Sequence, residues 1–246
     1  MASFAIFLGF LLALSQSVFG FFPSSPESPV QTIYEFPNET WVEGVAVRPS
    51  GEPLVTFITS SDLYQVDPSD PFSSATASLF HSFPHAVGTL GIAEIQPDVF
   101  AIITGNFSAE TPSTTNGSYS IWKVDLTSLE CDDFGQVTSK PVVTKIADIP
   151  EASFLTGLTH VAPCSPYLLA SDSVLGVVWR IDHYTGEYQI ILDDALMKPA
   201  PGQLAVIGIY GVQTRDGYLY LKTHFNTYSH EYKSLLREQQ QDNTKF

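Results

Sequence analysis

Basic residues are scarce in this chain. It has 11 Lys and Arg against 26 Asp and Glu, a formal net charge of −15. Binding nucleic acid through its phosphates needs clustered cations, and no such cluster occurs, so that class of partner is excluded. The same acidity repels anionic membrane surfaces. Long apolar runs are missing as well. The longest, Phe4–Leu14 (FAIFLGFLLAL), is too short to cross a bilayer comfortably. It reads as the apolar stretch of a signal peptide over residues 1–20, with Val18 and Gly20 at the −3 and −1 cleavage positions, although no Lys or Arg precedes it. No stable membrane span is expected once that segment is removed. Three glycosylation triplets, at Asn38, Asn106 and Asn116, fit a secreted protein or one retained in the secretory lumen.

Cysteine is nearly absent. Cys131 and Cys164 either form one disulfide or remain two unpaired buried thiols. A disulfide would close a loop of about 30 residues, worth roughly 3 kcal/mol in the loop-entropy account. No CxxC or Cys/His cluster points to zinc, and no cofactor is expected. The common catalytic patterns are missing too. There is no GxSxG elbow, no HExxH, no P-loop and no GxGxxG after a strand. His230-Glu231 has no second histidine at zinc spacing.

What the chain does have is apolar and aromatic residues in short runs, with Ser and Thr between them. That composition belongs to a β-protein. A degraded pattern returns four times, in EGVAVRPSGEPLVT at Glu43, GIAEIQPDVFAIIT at Gly91, TGLTHVAPCSPYLLAS at Thr156 and YGVQTRDGYLYLKT at Tyr210. Each copy has a glycine, an apolar strand, a turn and a second apolar strand. The glycines Gly44, Gly91, Gly157 and Gly211 are 47, 66 and 54 residues apart. Such periods predict a β-propeller with one four-stranded blade per repeat.

Inner strands are expected at Gly44–Val47, Gly91–Ile95, Gly157–Val161 and Gly211–Gln213. Second strands follow at Leu54–Ile58, Val99–Thr104, Tyr167–Ser171 and Tyr218–Lys222. Third strands begin near Asp62, Ser120 and Val177 and end in Asp67, Asp125 and Asp182, which cap turns. Fourth strands fall at Ala77–Phe83, Val142–Ile149 and Tyr188–Leu192. The polar stretch Ser108–Ser118 reads as an exposed loop. The expectation is therefore an all-β chain: a partial β-propeller over 21–223 with about three and a half blades, C-terminally incomplete, and a polar tail over 224–246. Helical periodicity appears only in that tail, around Glu231–Gln241. The edge at Tyr218–Lys222 is left open, either by shortening or because two chains complete each other through it.

Four stretches carry a likeness to a known family. They are Trp41-Val-Glu-Gly-Val-Ala-Val-Arg-Pro-Ser-Gly, Pro97-Asp-Val-Phe, Ala170-Ser-Asp-Ser with Gly176-Val-Val-Trp-Arg-Ile-Asp, and Val212-Gln-Thr-Arg-Asp-Gly-Tyr-Leu-Tyr. In order and spacing they resemble the fungal branch of the SMP-30/gluconolactonase-like propellers, from about Gln31 to Thr223. The resemblance implies the six-bladed type, shortened by roughly two blades. It also implies that Gln31–Phe36 is the outer strand joining the last blade.

In the family's metal-dependent lactonases the ligands sit at the starts of inner strands. Here those positions hold Glu43, Leu90, Thr156 and Tyr210. Glu43 matches the expected carboxylate, but the others make a poor cage for a hard divalent cation. The branch also includes hetero-Diels–Alderases of secondary metabolism, which need no metal. That likeness implies a shaped apolar pocket for a hydrophobic polyketide or terpene substrate. Glu43, Thr156, Tyr210 and His85 are its candidate catalytic residues, and Trp41, Phe83 and Phe154 its candidate substrate contacts. Each has a plainer reading; Glu43, for one, could pair with Arg48. Two further functions stay open, a lactonase holding a metal at Glu43 and a non-catalytic ligand-binding remnant.

Overall fold

The computed structural model describes residues 32–37, 39–68, 75–108, 111, 113–130, 137–200 and 207–223. Contacts divide the chain at residue 32, and one compact unit holds Ile33 onward. The first blade is β1 (Val42–Val47), β2 (Pro53–Phe57), β3 (Ser60–Asp67) and β4 (Thr76–Ser82). The second opens with β5 (Gly88–Gln96) and β6 (Val99–Gly105). A small hairpin, β7 (Phe107–Ser108) and β8 (Ser113–Thr114), interrupts it before β9 (Ser120–Asp125) and β10 (Val142–Asp148) complete it. The third is β11 (Leu155–His160), β12 (Tyr167–Asp172), β13 (Val177–Asp182) and β14 (Tyr188–Asp193). A 3-10 turn at Ala195–Met197 leads to a last hairpin, β15 (Ile209–Arg215) and β16 (Tyr218–Thr223). All pairings are antiparallel between neighbours in the order expected of blades. Among the described residues the fold is all-β, a partial β-propeller of three blades and half a fourth.

Alternation along the strands builds the core. In β6, Val99, Ala101 and Ile103 pack toward the third blade, while Phe100 and Ile102 pack toward the first. In β13, Val177, Trp179 and Ile181 face the second blade and Val178 faces the last hairpin. The two-residue period of a strand thus puts an apolar layer on both faces of each interior blade. Each fully buried Leu, Ile or Phe in such a layer contributes about 1.5–3 kcal/mol.

Two expectations change. Residues 32–37 form no strand; Phe36 packs edge-on against Phe57 and Tyr64, and Tyr34 edge-on against Phe36, covering part of the outer face of the first blade. The stretch expected as an exposed loop contains the β7–β8 hairpin, in which Phe107 pairs with Thr114. Residues 1–20, Asn38, Cys131 and the tail 224–246 lie outside the described residues, so the signal, the disulfide and the tail helix stay expectations. Cys164 is exposed, as is Asn116, whereas Asn106 is half-buried with its Oδ1 accepting the Val87 N–H at 3.0 Å.

The repeated glycine has a structural reason. Each inner strand shifts register beside it: between Val42 and Gly44, Thr89 and Ile92, Leu155 and Leu158, and Ile209 and Gly211. A bulge of this kind turns one residue out of the ladder and bends the strand. The carbonyl before the glycine then points at the preceding blade. A Cβ on Gly44 would lie 2.9 Å from the Leu90 carbonyl oxygen, one on Gly91 2.5 Å from that of Thr156, and one on Gly157 3.0 Å from that of Tyr210. Glycine alone leaves room for this joint. Among the described residues no such carbonyl faces Gly211, whose Cβ would meet only the Cβ of Lys222 at 3.2 Å.

Candidate functional site

The four bulges aim their strands at one cavity of about 790 Å³ around the axis. Its wall is mostly apolar and aromatic, with Trp41, Val45, Ile92, Phe107, Phe154, Leu158, Tyr210 and Val212 among the residues contributing. Among the described residues Glu43 is its only charged side chain. Trp41 stands exposed at the rim.

Glu43 is half-buried and, among the described residues, makes no hydrogen bond or ion pair. Arg48, its candidate partner, is engaged elsewhere. Its guanidinium forks onto Asp98, Nε to Oδ1 at 2.8 Å and Nη2 to Oδ2 at 2.6 Å, and donates from Nη1 to Gln65 at 2.7 Å. Burial without a cation beside it raises the Glu43 pKa above the ordinary carboxylate value.

Thr156 also faces the cavity, but its hydroxyl is fully engaged. It donates to the Tyr210 carbonyl at 3.1 Å, and its oxygen lies 2.7 Å from the Ser173 hydroxyl and 3.3 Å from that of Ser171. Three polar neighbours take every direction a hydroxyl offers. Thr156 is thus a strut between the third blade and the last hairpin. Tyr210 lines the wall, with the Lys222 ammonium 5.2 Å from its ring centre.

Two candidates lie elsewhere. Phe83 is buried between the first two blades, against His81 and Trp122, and is not part of the lining. His85 is exposed on a turn with a left-handed φ of 62°, also outside the lining. Leu90 occupies a residue-before-glycine position, yet its side chain is fully buried in the core.

Two contributors escaped the sequence reading. Phe107 lies one residue before the polar stretch, inside the Asn106-Phe-Ser triplet, where nothing marks it as inward. Asp172 is fully buried, and its carboxylate accepts the N–H groups of Ser153 at 2.9 Å, Phe154 at 3.1 Å, Val174 at 3.2 Å and Leu175 at 3.0 Å. It thereby fixes the backbone of Phe154 at the cavity.

The donor set does not fit a divalent cation. Such an ion needs several oxygen ligands, carboxylates above all. Here one carboxylate faces a spent hydroxyl, a phenol and a position held by Leu90. Among the described residues no three His, Cys, Asp or Glu side chains cluster as a metal site would.

Fold and site together define a partial β-propeller with an apolar, aromatic-walled axial cavity and one unpaired acid. Two curated proteins are similar to it in sequence. One, from Phoma sp and named "Putative hetero-Diels-Alderase", is 26% identical over 204 residues, covering 76% of this chain and 56% of that protein. The other, from Sarocladium schorii and named "Putative hetero-Diels-Alderase asR5", is 25% identical over 210 residues, covering 78% and 50%. The chain therefore spans about half the length of the curated relatives it matches. No family model matches it, so the likeness to SMP-30/gluconolactonase-like proteins stands on the quoted motifs alone. A solved PQQ-bound aldose sugar dehydrogenase from Streptomyces coelicolor overlaps with a TM-score of 0.45 at 16% identity, covering 78% of this chain and 58% of that one, too little to carry an argument.

Proposed function

We propose that this chain forms the axial site of a metal-independent cyclase of the hetero-Diels–Alderase type, acting on hydrophobic polyketide or terpene partners in the secretory pathway. The observation that carries this reading is the unpaired Glu43 in an otherwise uncharged, aromatic-walled cavity, and the two similar proteins agree with it. The N-terminal apolar run and the three glycosylation triplets support the compartment.

A hetero-Diels–Alder step joins a four-atom heterodiene ending in C=O to an alkene. One C–C and one C–O bond form, three π bonds become one, and no atom leaves. No general base is needed. Holding the partners in a reactive pose supplies much of the acceleration. The rest comes from a donor at the heterodiene oxygen, where electron density rises in the transition state. Glu43, when protonated, has a hydrogen bond to give at that oxygen, and burial favours the protonated form.

The test supplies an achiral ortho-quinone methide, generated in situ, together with an achiral cyclic sesquiterpene alkene. Products are resolved by chiral chromatography. The uncatalysed reaction gives a racemate, so the expected result is an enantiomerically enriched adduct formed faster than background. Glu43→Ala should lower the rate by about 100-fold, as losing one preorganised donor does elsewhere, while Glu43→Gln, which keeps a donor, should retain most of it. A racemic adduct at the background rate would overturn the reading.

A further inference from the structure

Three aromatic rings form a column leading from the cavity into the interior. Tyr119 is fully buried, and among the described residues its hydroxyl has no partner. Phe154 packs on it with ring centres 6.3 Å apart, tilted by 52°. Phe107 then lies flat on Phe154, 5.0 Å between centres and only 4° from parallel. Phe154 is 3% exposed and packed by both neighbours, so it has little surface to offer. Phe107 is half-buried and is the ring with surface left at the cavity.

The column is held in place at both rings. Asp172 fixes the Phe154 backbone, as described above. Phe107 sits on β7, which pairs with β8. The base of that hairpin is closed by the Ser118 hydroxyl, which accepts the Asn106 N–H at 3.0 Å and donates to the Thr115 carbonyl at 2.6 Å. The Gly117 N–H reaches the Ala152 carbonyl at 3.3 Å, tying the hairpin to the loop that enters the third blade. A ring held this way keeps its orientation when a ligand arrives, so little ordering is left for binding to oppose.

We propose that Phe107 is the specificity-determining residue of the cavity, selecting a flat, conjugated ring by adding it to this column. The inference rests on the reading that the cavity takes an apolar molecule. It goes further by naming the shape of one partner and the side chain that reads it. A saturated ring system of the same carbon count presents C–H bonds on both faces and cannot extend a parallel stack. Aromatic pairs of this geometry favour the flat ligand by about two- to tenfold beyond simple burial.

The test uses displacement of a fluorescent apolar reporter, N-phenyl-1-naphthylamine, by naphthalene and by decalin. The quantity read is the ratio of the two affinities, which a general loss of stability would not move. Phe107→Leu should lower the naphthalene-to-decalin ratio by about two- to tenfold, with decalin binding nearly unchanged. Phe107→Tyr keeps the ring and should keep the ratio; it serves as the folded comparison if the Leu variant is unstable. An unchanged ratio in Phe107→Leu, with both probes still bound, overturns the role of Phe107 and leaves the apolar-cavity reading standing. Failure of both probes to bind the unaltered chain overturns both, and decalin binding more tightly than naphthalene overturns the role of Phe107.

Discussion

Among the described residues Glu43 has no cation to stabilise its charge, and its chemistry follows from that. Its pKa is raised by burial, so the folded chain binds its proton more tightly than the unfolded chain does. In the pH range between the ordinary carboxylate value and the raised one, the folded state therefore holds more protons. Stability falls as pH rises through that window. Glu43→Gln cannot ionise, so it should melt higher than the unaltered chain at neutral pH, with the two converging at about pH 4. Melting curves across that range check it, and parallel curves would mean that the carboxylate is solvated. If the protonated acid is the donor, cyclase activity should decline over the same window. Asp172 shows the opposite treatment of a buried carboxylate, with four backbone N–H groups directed at it. Sequence alone could not separate the two, because the difference lies in which backbone donors fold around each.

At the scale of strands, the glycine joint makes a graded prediction. None of Gly44, Gly91, Gly157 or Gly211 has a left-handed φ, so alanine is acceptable to the backbone and only space decides. Gly91→Ala meets backbone oxygen and nitrogen at 2.5 and 2.7 Å, which must move apart. Overpacking of that kind costs about 1–3 kcal/mol or more. Gly211→Ala should cost under about 1 kcal/mol, because the reduced entropy of the unfolded chain offsets a mild contact. Urea denaturation of the four variants would show this ranking, and equal costs would sink the joint. Most strands were legible because alternation and turn residues such as Arg215-Asp-Gly mark them directly. The bulges were not, since a register shift leaves no compositional trace. Those bulges explain why reading side chains off strand starts placed Leu90 at the channel and the structure does not. Phe83 was misplaced for a related reason: it lies just past β4, where the packing between blades takes it rather than the axis. The β7–β8 hairpin was hidden by its polar composition.

Across the whole molecule, each blade contacts its sequence neighbours, and the apolar layers lie between successive blades. The second blade is covered on both faces; β6 is buried along its full length. The first blade leaves Val42, Val45 and Val47 exposed on β1. Local opening costs least where few apolar contacts must be broken. Hydrogen exchange should therefore be slowest in β6 and β12 and fastest in β1 and β16; uniform protection throughout would argue against this gradient. The alternation of apolar residues made these layers readable in advance. The cavity between them was readable only in outline, because its wall draws on four strands far apart in the chain.

The second and third blades each carry both halves of the joint, a glycine that receives a carbonyl and a bulged carbonyl that fits a glycine. A stretch of gene encoding one blade, copied whole, would yield a segment able to dock at once on its parent and to receive the next. Repeats of 47, 66 and 54 residues share that coupling while differing in their loops. Drift in sequence is thus free to remodel the axial wall, as Glu43, Thr156 and Tyr210 at equivalent positions already show, so long as each copy retains its glycine.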